Sequence, residues 1–328
     1  MPGIAFGGSR VLITGGLGFI GSTLARRLVG EGARVTVVDS LVPEYGGSLH
    51  NIDGLETALR VNISDLRDEH SLRHLVAGQH YLFNLAGQTS HMDSMTDPFT
   101  DLEINCRAQL SVLEACRAHN PGVRVVYAST RQVYGRPLTL PVDETHPLRP
   151  VDVNGIHKLA GEWYHLLYND VYSLWSCALR FTNTYGPRMR VRDERQTFLG
   201  GWIRLLIQGR PFEVWGGSQI RDLTFVDDAV EALLLAARAD EARGQVFNVG
   251  AEWTVSLLEL AELLVRVNGG GEFSVRAFPA ERKRIDIGDY VADWGKIRGA
   301  LGWQPSVPLE EGLRRTFAFY KAQGEHYW

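Results

Sequence analysis

Two stretches of this 328-residue chain carry residues whose types and spacing can do chemistry. In TGGLGFIG (14–21), Gly15, Gly18 and Gly21 recur at every third position. The first glycine permits a tight turn, the second lets backbone approach a pyrophosphate, and the third lets helix and strand pack closely. A helix opening there turns unpaired N–H groups and the positive end of its dipole toward phosphates. Asp39 stands at the end of RVTVVDS, at the spacing of about 20 residues where a carboxylate accepts hydrogen bonds from an adenosine ribose. Ser40 and Leu41 follow it, with no arginine to meet a 2′-phosphate, so NAD is expected rather than NADP. The second stretch is VDVNGIHKLAGEW (151–163). Asn154 and Lys158 are four residues apart, neighbours on one helical face. Lysine occurs elsewhere only at Lys283, Lys296 and Lys321, so a lysine in this slot stands out. Asn154 donates and accepts hydrogen bonds but has no accessible pKa. His157, three residues on, approaches the same face. Its imidazole, unperturbed near about 6.5, is a substitute base or simply a ring bonded to a neighbour.

The elements that must hold these residues are legible as periods. RVLITGG, RVTVVDS, YLFNLAG and RVVYAST read as buried strands, and STLARRLVGEG and AQLSVLEACRAHN as helices. Strands alternating with helices imply βαβ units and a parallel sheet covered on both faces. After about residue 180 the pattern loosens, with helices expected in TFLGGWIRLLIQGR and SLLELAELLVRVNG. Residues 1–180 are expected to form a cofactor domain, with returning segments near 222–250 and 286–295. Residues 181–328 are expected to form mainly a substrate lobe woven into it. Net charge is −4 and no basic run occurs, so nucleic acid is not an expected partner. No apolar run approaches the roughly 18 residues of a membrane span, and no signal-peptide pattern opens the chain. Cys106, Cys116 and Cys177 form no metal-type pair and fit reduced thiols in a cytoplasm.

Taken in order, these motifs resemble the extended short-chain dehydrogenase/reductases of the nucleotide-sugar epimerase and dehydratase group. TGGLGFIG matches that family's fingerprint, and the resemblance implies an α/β, Rossmann-type doubly wound parallel sheet with a smaller, interwoven C-terminal α/β lobe. It implies NAD contacts at Gly15, Gly18, Phe19, Ile20, Gly21, Asp39, Asn62, Ile63 and Lys158. NLAGQTSH adds Leu85, Ala86 and Gly87 to the cofactor wall, and Gln88 to the substrate. YASTRQVYG places the catalytic hydroxyl on Thr130, by its distance from Tyr134. LRFTNTYGPR places Asn183, and GGSQIRDLTFVDDAV places Arg221, on a substrate diphosphate. LGWQPSVPLEEGLRRT matches the usual C-terminal ending. In the family a tyrosine is the base, its pKa brought down from about 10 by the lysine and the nicotinamide. Two subunits pair through the helix carrying Lys158 and the helix around 105–118, so a homodimer with a four-helix bundle is implied.

Three departures from that pattern stand out. Asn154 replaces the tyrosine and His157 replaces a small residue. Arg131 and Gln132 stand where 4,6-dehydratases carry acids that protonate the leaving hydroxyl and abstract the adjacent proton. Arginine is no base at ordinary pH. Arg131 is read as a cation aimed at an anionic group such as a sugar carboxylate, or as a loop arginine bonded to backbone. RMRVRDERQ offers Arg188, Arg190, Arg192 and Arg195 as an anion clamp or a solvated loop, with Arg190 and Arg195 favoured for substrate. Arg282 and Arg284 compete for a diphosphate contact, Arg284 favoured. Asn62 stands for an aspartate expected near adenine. The expected activity is NAD-dependent epimerisation of a nucleotide diphosphate sugar through a transient ketone, with Thr130, Lys158, Asn154 and His157 at the reacting carbon. A dehydratase or decarboxylase is the enzymatic alternative, and an NAD-binding sensor or scaffold without turnover is the other.

Overall fold

The β-branched runs become strands and the amphipathic runs helices, as their periods require. The computed structural model describes residues 6–45, 47–193 and 197–328. The strands are β1 (Arg10–Thr14), β2 (Arg34–Asp39), β3 (Leu59–Ile63), β4 (Tyr81–Asn84), β5 (Arg124–Thr130), β6 (Ser176–Phe181), β7 (Asn183–Tyr185), β8 (Phe212–Trp215), β9 (Ile220–Phe225), β10 (Val246–Val249), β11 (Thr254–Ser256) and β12 (Phe273–Arg276). The helices are α1 (Phe19–Gly30), α2 (Glu69–Val76), α3 (His91–Thr96), α4 (Pro98–Leu102), α5 (Ala108–His119), α6 (Val153–Tyr172), α7 (Phe198–Ile207), α8 (Val226–Arg238), α9 (Leu257–Asn268), α10 (Ala280–Ile285), α11 (Gly295–Leu301) and α12 (Leu309–Gln323).

The main sheet runs β10-β6-β5-β4-β1-β2-β3, parallel throughout. Strand order reverses between β1 and β4, and ligands of doubly wound sheets bind beyond the strand ends at such a switch. One face packs on α1 and α8, through Leu24, Leu28, Leu233 and Ala236. The other packs on α2 and α5, through Leu72, Val76, Val112 and Leu113. A second core joins α7, α9 and α12 around Trp202, Leu260 and Phe317, beside the small sheets β11-β9-β7 and β12-β8. Because β10 pairs with β6, the second half of the chain supplies an edge of the main sheet. No helix among the described residues is long and apolar enough to cross a membrane.

Helix α6 carries Asn154 and Lys158, and polar contacts fix how it lies. Asp152 caps its start, with Oδ1 accepting from Gly155 N at 2.6 Å. Gly161 faces β5, where a Cβ would lie 2.5 Å from the Tyr127 hydroxyl, so the helix approaches closely only because no side chain is there. The next residue, Glu162, is fully buried. Its carboxylate accepts from Arg180 Nε (2.9 Å), Arg180 Nη2 (2.5 Å) and Ser129 Oγ (2.6 Å). Arg180 Nη1 also donates to the Tyr134 hydroxyl (2.7 Å), which donates to Asn248 Oδ1 (2.7 Å), tying α6 to β5, β6 and β10.

A buried ion pair adds little over an apolar replacement, yet halving it strands a charge. Glu162→Ala should therefore lose about 3–5 kcal/mol in urea denaturation, and Glu162→Leu with Arg180→Met should lose clearly less. Equal losses would show that the pair is not what anchors α6.

Candidate active site

A cavity of about 460 Å³ opens beyond the C-terminal ends of β1, β2, β4, β5 and β6. Its first wall is the glycine turn. Gly15 has φ +66°, and a Cβ there would lie 2.9 Å from Ala86 backbone; a Cβ on Gly21 would lie 2.2 Å from Gly15 O. Side chains at either position would push the turn out of place. Helix α1 begins with no side-chain cap and no acid in its first turn, so its leading N–H groups are left for an anion. Asp39 borders the cavity, oriented by Leu17 N on Oδ2 (3.1 Å) and Leu41 N on Oδ1 (2.9 Å). Burial raises its pKa, while those two backbone bonds lower it. Thr14 Oγ1 donates to Asn84 Oδ1 (2.8 Å) and accepts from Leu85 N and Ala86 N (3.0 and 3.1 Å). That clasp sets Leu85, Ala86 and Gly87 against the turn, and all three line the cavity with Phe19 and Ile20. The turn, the free N–H groups and the ribose-side carboxylate together fit a dinucleotide.

Asn62 and Ile63 do not reach this wall. Asn62 Oδ1 accepts from Ser64 Oγ (2.5 Å), and the Ile63 side chain at the end of β3 is 53% exposed. The chain bends over the cavity only afterwards, bringing Ser64, Asp65 and Leu66 there instead. An aspartate, Asp65, borders the cavity three residues after Asn62. Reading past the strand end into SDLRD would have found it.

Thr130, Arg131, Gln132, Asn154, Lys158, Asn183 and Gln88 share the opposite wall. Thr130 ends β5 and starts a short turn, its Oγ1 accepting from Gln132 N at 3.3 Å. Lys158 Nζ donates to Ala128 O (2.5 Å) and lies 4.4 Å from the Tyr127 ring centre. Burial brings its pKa down to about 8, against the raising effect of Asp101 and Glu162. Asn154 Nδ2 donates to Gln88 O (2.8 Å) and Asp101 Oδ2 (3.0 Å). Both partners only accept, so chemistry alone sets which end of the amide faces them. Asn154 Oδ1 is left without a hydrogen-bond partner among the described residues.

Asp101, fully buried on α4, is a residue that sequence reasoning missed. It accepts from Asn154 and also lies 2.7 Å from His157 Nδ1 through Oδ1. One carboxylate thus joins two of the three departures from the family pattern. Its only sequence signal is an acid within DPFTDLE, a segment that reads as a solvated helix start. The His157 ring, expected either as a substitute base or as a ring bonded to a neighbour, is turned to Asp101 and does not border the cavity.

Several expected anion contacts are engaged elsewhere. Arg190 grips Asp193 through Nε (2.8 Å) and Nη2 (2.5 Å), since a loop acid lies closer than the cavity. Arg221 Nη1 donates to Gly288 O (2.5 Å) and Ile220 O (3.0 Å), and Nη2 to Asp286 (3.3 Å), while its buried Nε has no partner. Arg284 is exposed on α10, and Arg282 stacks on Trp215. Arg188 donates to Thr23 and lies over the Phe319 ring. None of these five borders the cavity. Arg192 lends its carbonyl to Arg204, and Arg195 lies outside the described residues.

Lys158 has a folded pKa below its ordinary 10.5, so the fold holds its charged form unfavourably. The penalty is full below about 8, shrinks as pH rises toward 10.5 and vanishes above it. Lys158→Met should accordingly raise stability at pH 7, by at most about 3 kcal/mol. The gain should fade between the two pKa values in a series of thermal melts, and a gain independent of pH would refute this electrostatic account.

Residues 11–250 match the model of the NAD dependent epimerase/dehydratase family. The chain is 33% identical over 325 residues to a UDP-glucose 4-epimerase of Mycolicibacterium smegmatis, covering 96% of this chain and 100% of the relative. It is 32% identical to a dTDP-glucose 4,6-dehydratase of Actinoplanes, covering 95% and 98%. In structure it is similar to a UDP-glucose 4-epimerase of Thermotoga maritima solved with UDP-glucose, with TM-score 0.88, 30% identity, and 96% and 99% of the two chains covered. Phosphate turn, cavity, lysine and relatives agree, and the chain belongs to the NAD dependent epimerase/dehydratase family.

Proposed function

We propose that the protein epimerises a ring carbon of a nucleotide diphosphate sugar, through a transient ketone reduced again from the opposite face. Bound NAD supplies the hydride acceptor and returns the hydride, ending unchanged. The observation that carries the choice of epimerisation is the placement of acids. Among the described residues lining the cavity, the carboxylates are Asp39 and Asp65, both on the cofactor wall. Elimination needs an acid for the departing hydroxyl, and Thr130 is followed by Arg131 and Gln132.

The chain's own residues divide the work by chemistry. The N–H groups opening α1 take the cofactor's pyrophosphate, Asp39 its ribose, and Asp65 and Leu66 face its adenine. Lys158 holds the nicotinamide ribose and biases local charge. The Thr130 hydroxyl and Asn154 Oδ1 hold the reacting sugar hydroxyl between them. Asn154 cannot keep a proton, so the proton leaves to water in the cavity. His157 acts on this site through Asp101, which fixes the Asn154 amide. Residues 1–180, with β10, carry the cofactor, and the remainder closes over the sugar nucleotide. The three free, buried thiols suit a reducing cytoplasm.

The protein also pairs with a second copy of itself. Ile156, Trp163, Leu167 and Val171 form one exposed stripe along α6, at 52–60% exposure. Met95, Phe99 and Leu102 expose apolar surface on the adjoining α3 and α4, whereas α5 exposes no large apolar side chain. The partner's surface is therefore α6 with α3 and α4, rather than α6 with α5. A contiguous patch of this kind marks an interface.

With NAD and UDP-glucose in D₂O, NMR should show inversion at one carbon without solvent deuterium entering the sugar. Deuterium uptake would replace hydride return by proton abstraction, and no conversion across a panel of nucleotide sugars despite NAD binding would favour a sensor. Trp163→Glu should shift the protein from dimer to monomer in sedimentation velocity; a wild-type monomer at micromolar concentration would remove the pairing.

A further inference from the structure

The reacting end of the cavity contains a part-buried cation with no carboxylate in ion-pair contact among the described residues. Arg131 follows Thr130 directly, and its guanidinium borders the cavity. Nη2 donates to Asn183 Oδ1 (2.5 Å), Nη1 has only Gln132 Oε1 at 3.5 Å, and the Tyr290 ring centre lies 5.4 Å away. All these partners are neutral. No carboxylate comes within ion-pair distance of Arg131 among the described residues, whereas Arg180, Arg190 and Arg221 each have one. Burial, then repulsion from Arg221, pushes the Arg131 pKa down to about 10, so it is charged at neutral pH in a site that opposes the charge. Asp222 and Asp286 offset this only in part, from beyond ion-pair distance. Asp222 Oδ2 accepts from Ala292 N (3.1 Å), Oδ1 is buried without a partner, and burial pushes that carboxyl up to about 6.

A buried charge left with neutral partners is costly, and an anion entering the cavity removes the cost. Anionic oxygens could come from the sugar or from its diphosphate. Position favours the sugar, because Arg131 adjoins the residue that holds the reacting hydroxyl. A guanidinium fork also matches a planar carboxylate through two parallel bonds. We propose that Arg131 receives the carboxylate of a hexuronic acid, making the preferred substrate a nucleoside diphosphate hexuronate rather than a neutral hexose. The proposal rests on the epimerase reading and specifies its substrate class.

The test uses the full chain loaded with NAD, titrated calorimetrically with UDP-glucuronate, UDP-glucose and UDP. UDP-glucuronate should bind at least about tenfold tighter than UDP-glucose, the scale of a charge-assisted hydrogen bond. Arg131→Gln should weaken UDP-glucuronate far more than UDP-glucose and erase that preference, and Arg131→Lys, keeping charge without the fork, should retain part of it. Thermal melts confirm that the variants fold, and the wild-type preference is read without any variant. Equal or tighter binding of UDP-glucose, no binding of either sugar nucleotide, or an equal loss for all three ligands in Arg131→Gln would overturn the proposal, the last by assigning Arg131 to the diphosphate. Conversion of UDP-glucose without a preference for the uronate would leave the epimerase reading standing.

Discussion

The ion pair between Glu162 and Arg180 is the constraint on which the reacting half of the site depends. Both charges are buried, so each is tolerable only while the other is held in place. That requirement sets the depth and rotation of α6 against β5 and β6. Lys158 lies one turn before Glu162 and Asn154 one turn before that, so both reach the cavity through the same alignment. Gly161 lets the helix sit this close, and the closeness strips water from the Lys158 ammonium. A cost in stability and a usable lysine therefore have one origin.

Charge is distributed unevenly along the cavity. Carboxylates border the wall around the glycine turn, while Lys158 and Arg131 border the wall around Thr130. Between them Asn154 contributes a neutral amide whose orientation is fixed from behind by Asp101. The missing tyrosine is thus one part of a rearranged hydrogen-bond set. One buried carboxylate serves an imidazole and an amide, so removing Asp101 takes a partner from both, and removing either of them takes the partner from one Asp101 oxygen.

The strands, the phosphate turn and the order of motifs were legible in the sequence because they follow from local rules. Apolar period marks the strands, and the glycines stand where other residues would clash. Thr130, Lys158 and Asn183 were placed by motif spacing and do share the cavity. Asn62 and Ile63 were misplaced because the sequence does not show where a strand's last residue stops and its chain bends. Arg190 and Arg221 were assigned by charge type, which is visible in sequence, whereas the nearest acid is not. For Arg190 that acid is Asp193, three residues away, and for Arg221 it is Asp286, 65 residues on.

By itself, the sequence determined the fold class, the dinucleotide site and the loss of a titratable group at position 154, because each depends on residue type and near-neighbour spacing. Only the tertiary structure decided what stands in that group's surroundings. Asp101 and Gln88 meet Asn154 across 53 and 66 residues and His157 meets Asp101 across 56, and long-range packing alone brings such groups within hydrogen-bond distance of one carboxylate or amide. The same holds for Arg131, which has no acid within ion-pair distance among the described residues. Desolvation and the distances to every other charge set that condition, and neither exists until the chain has folded.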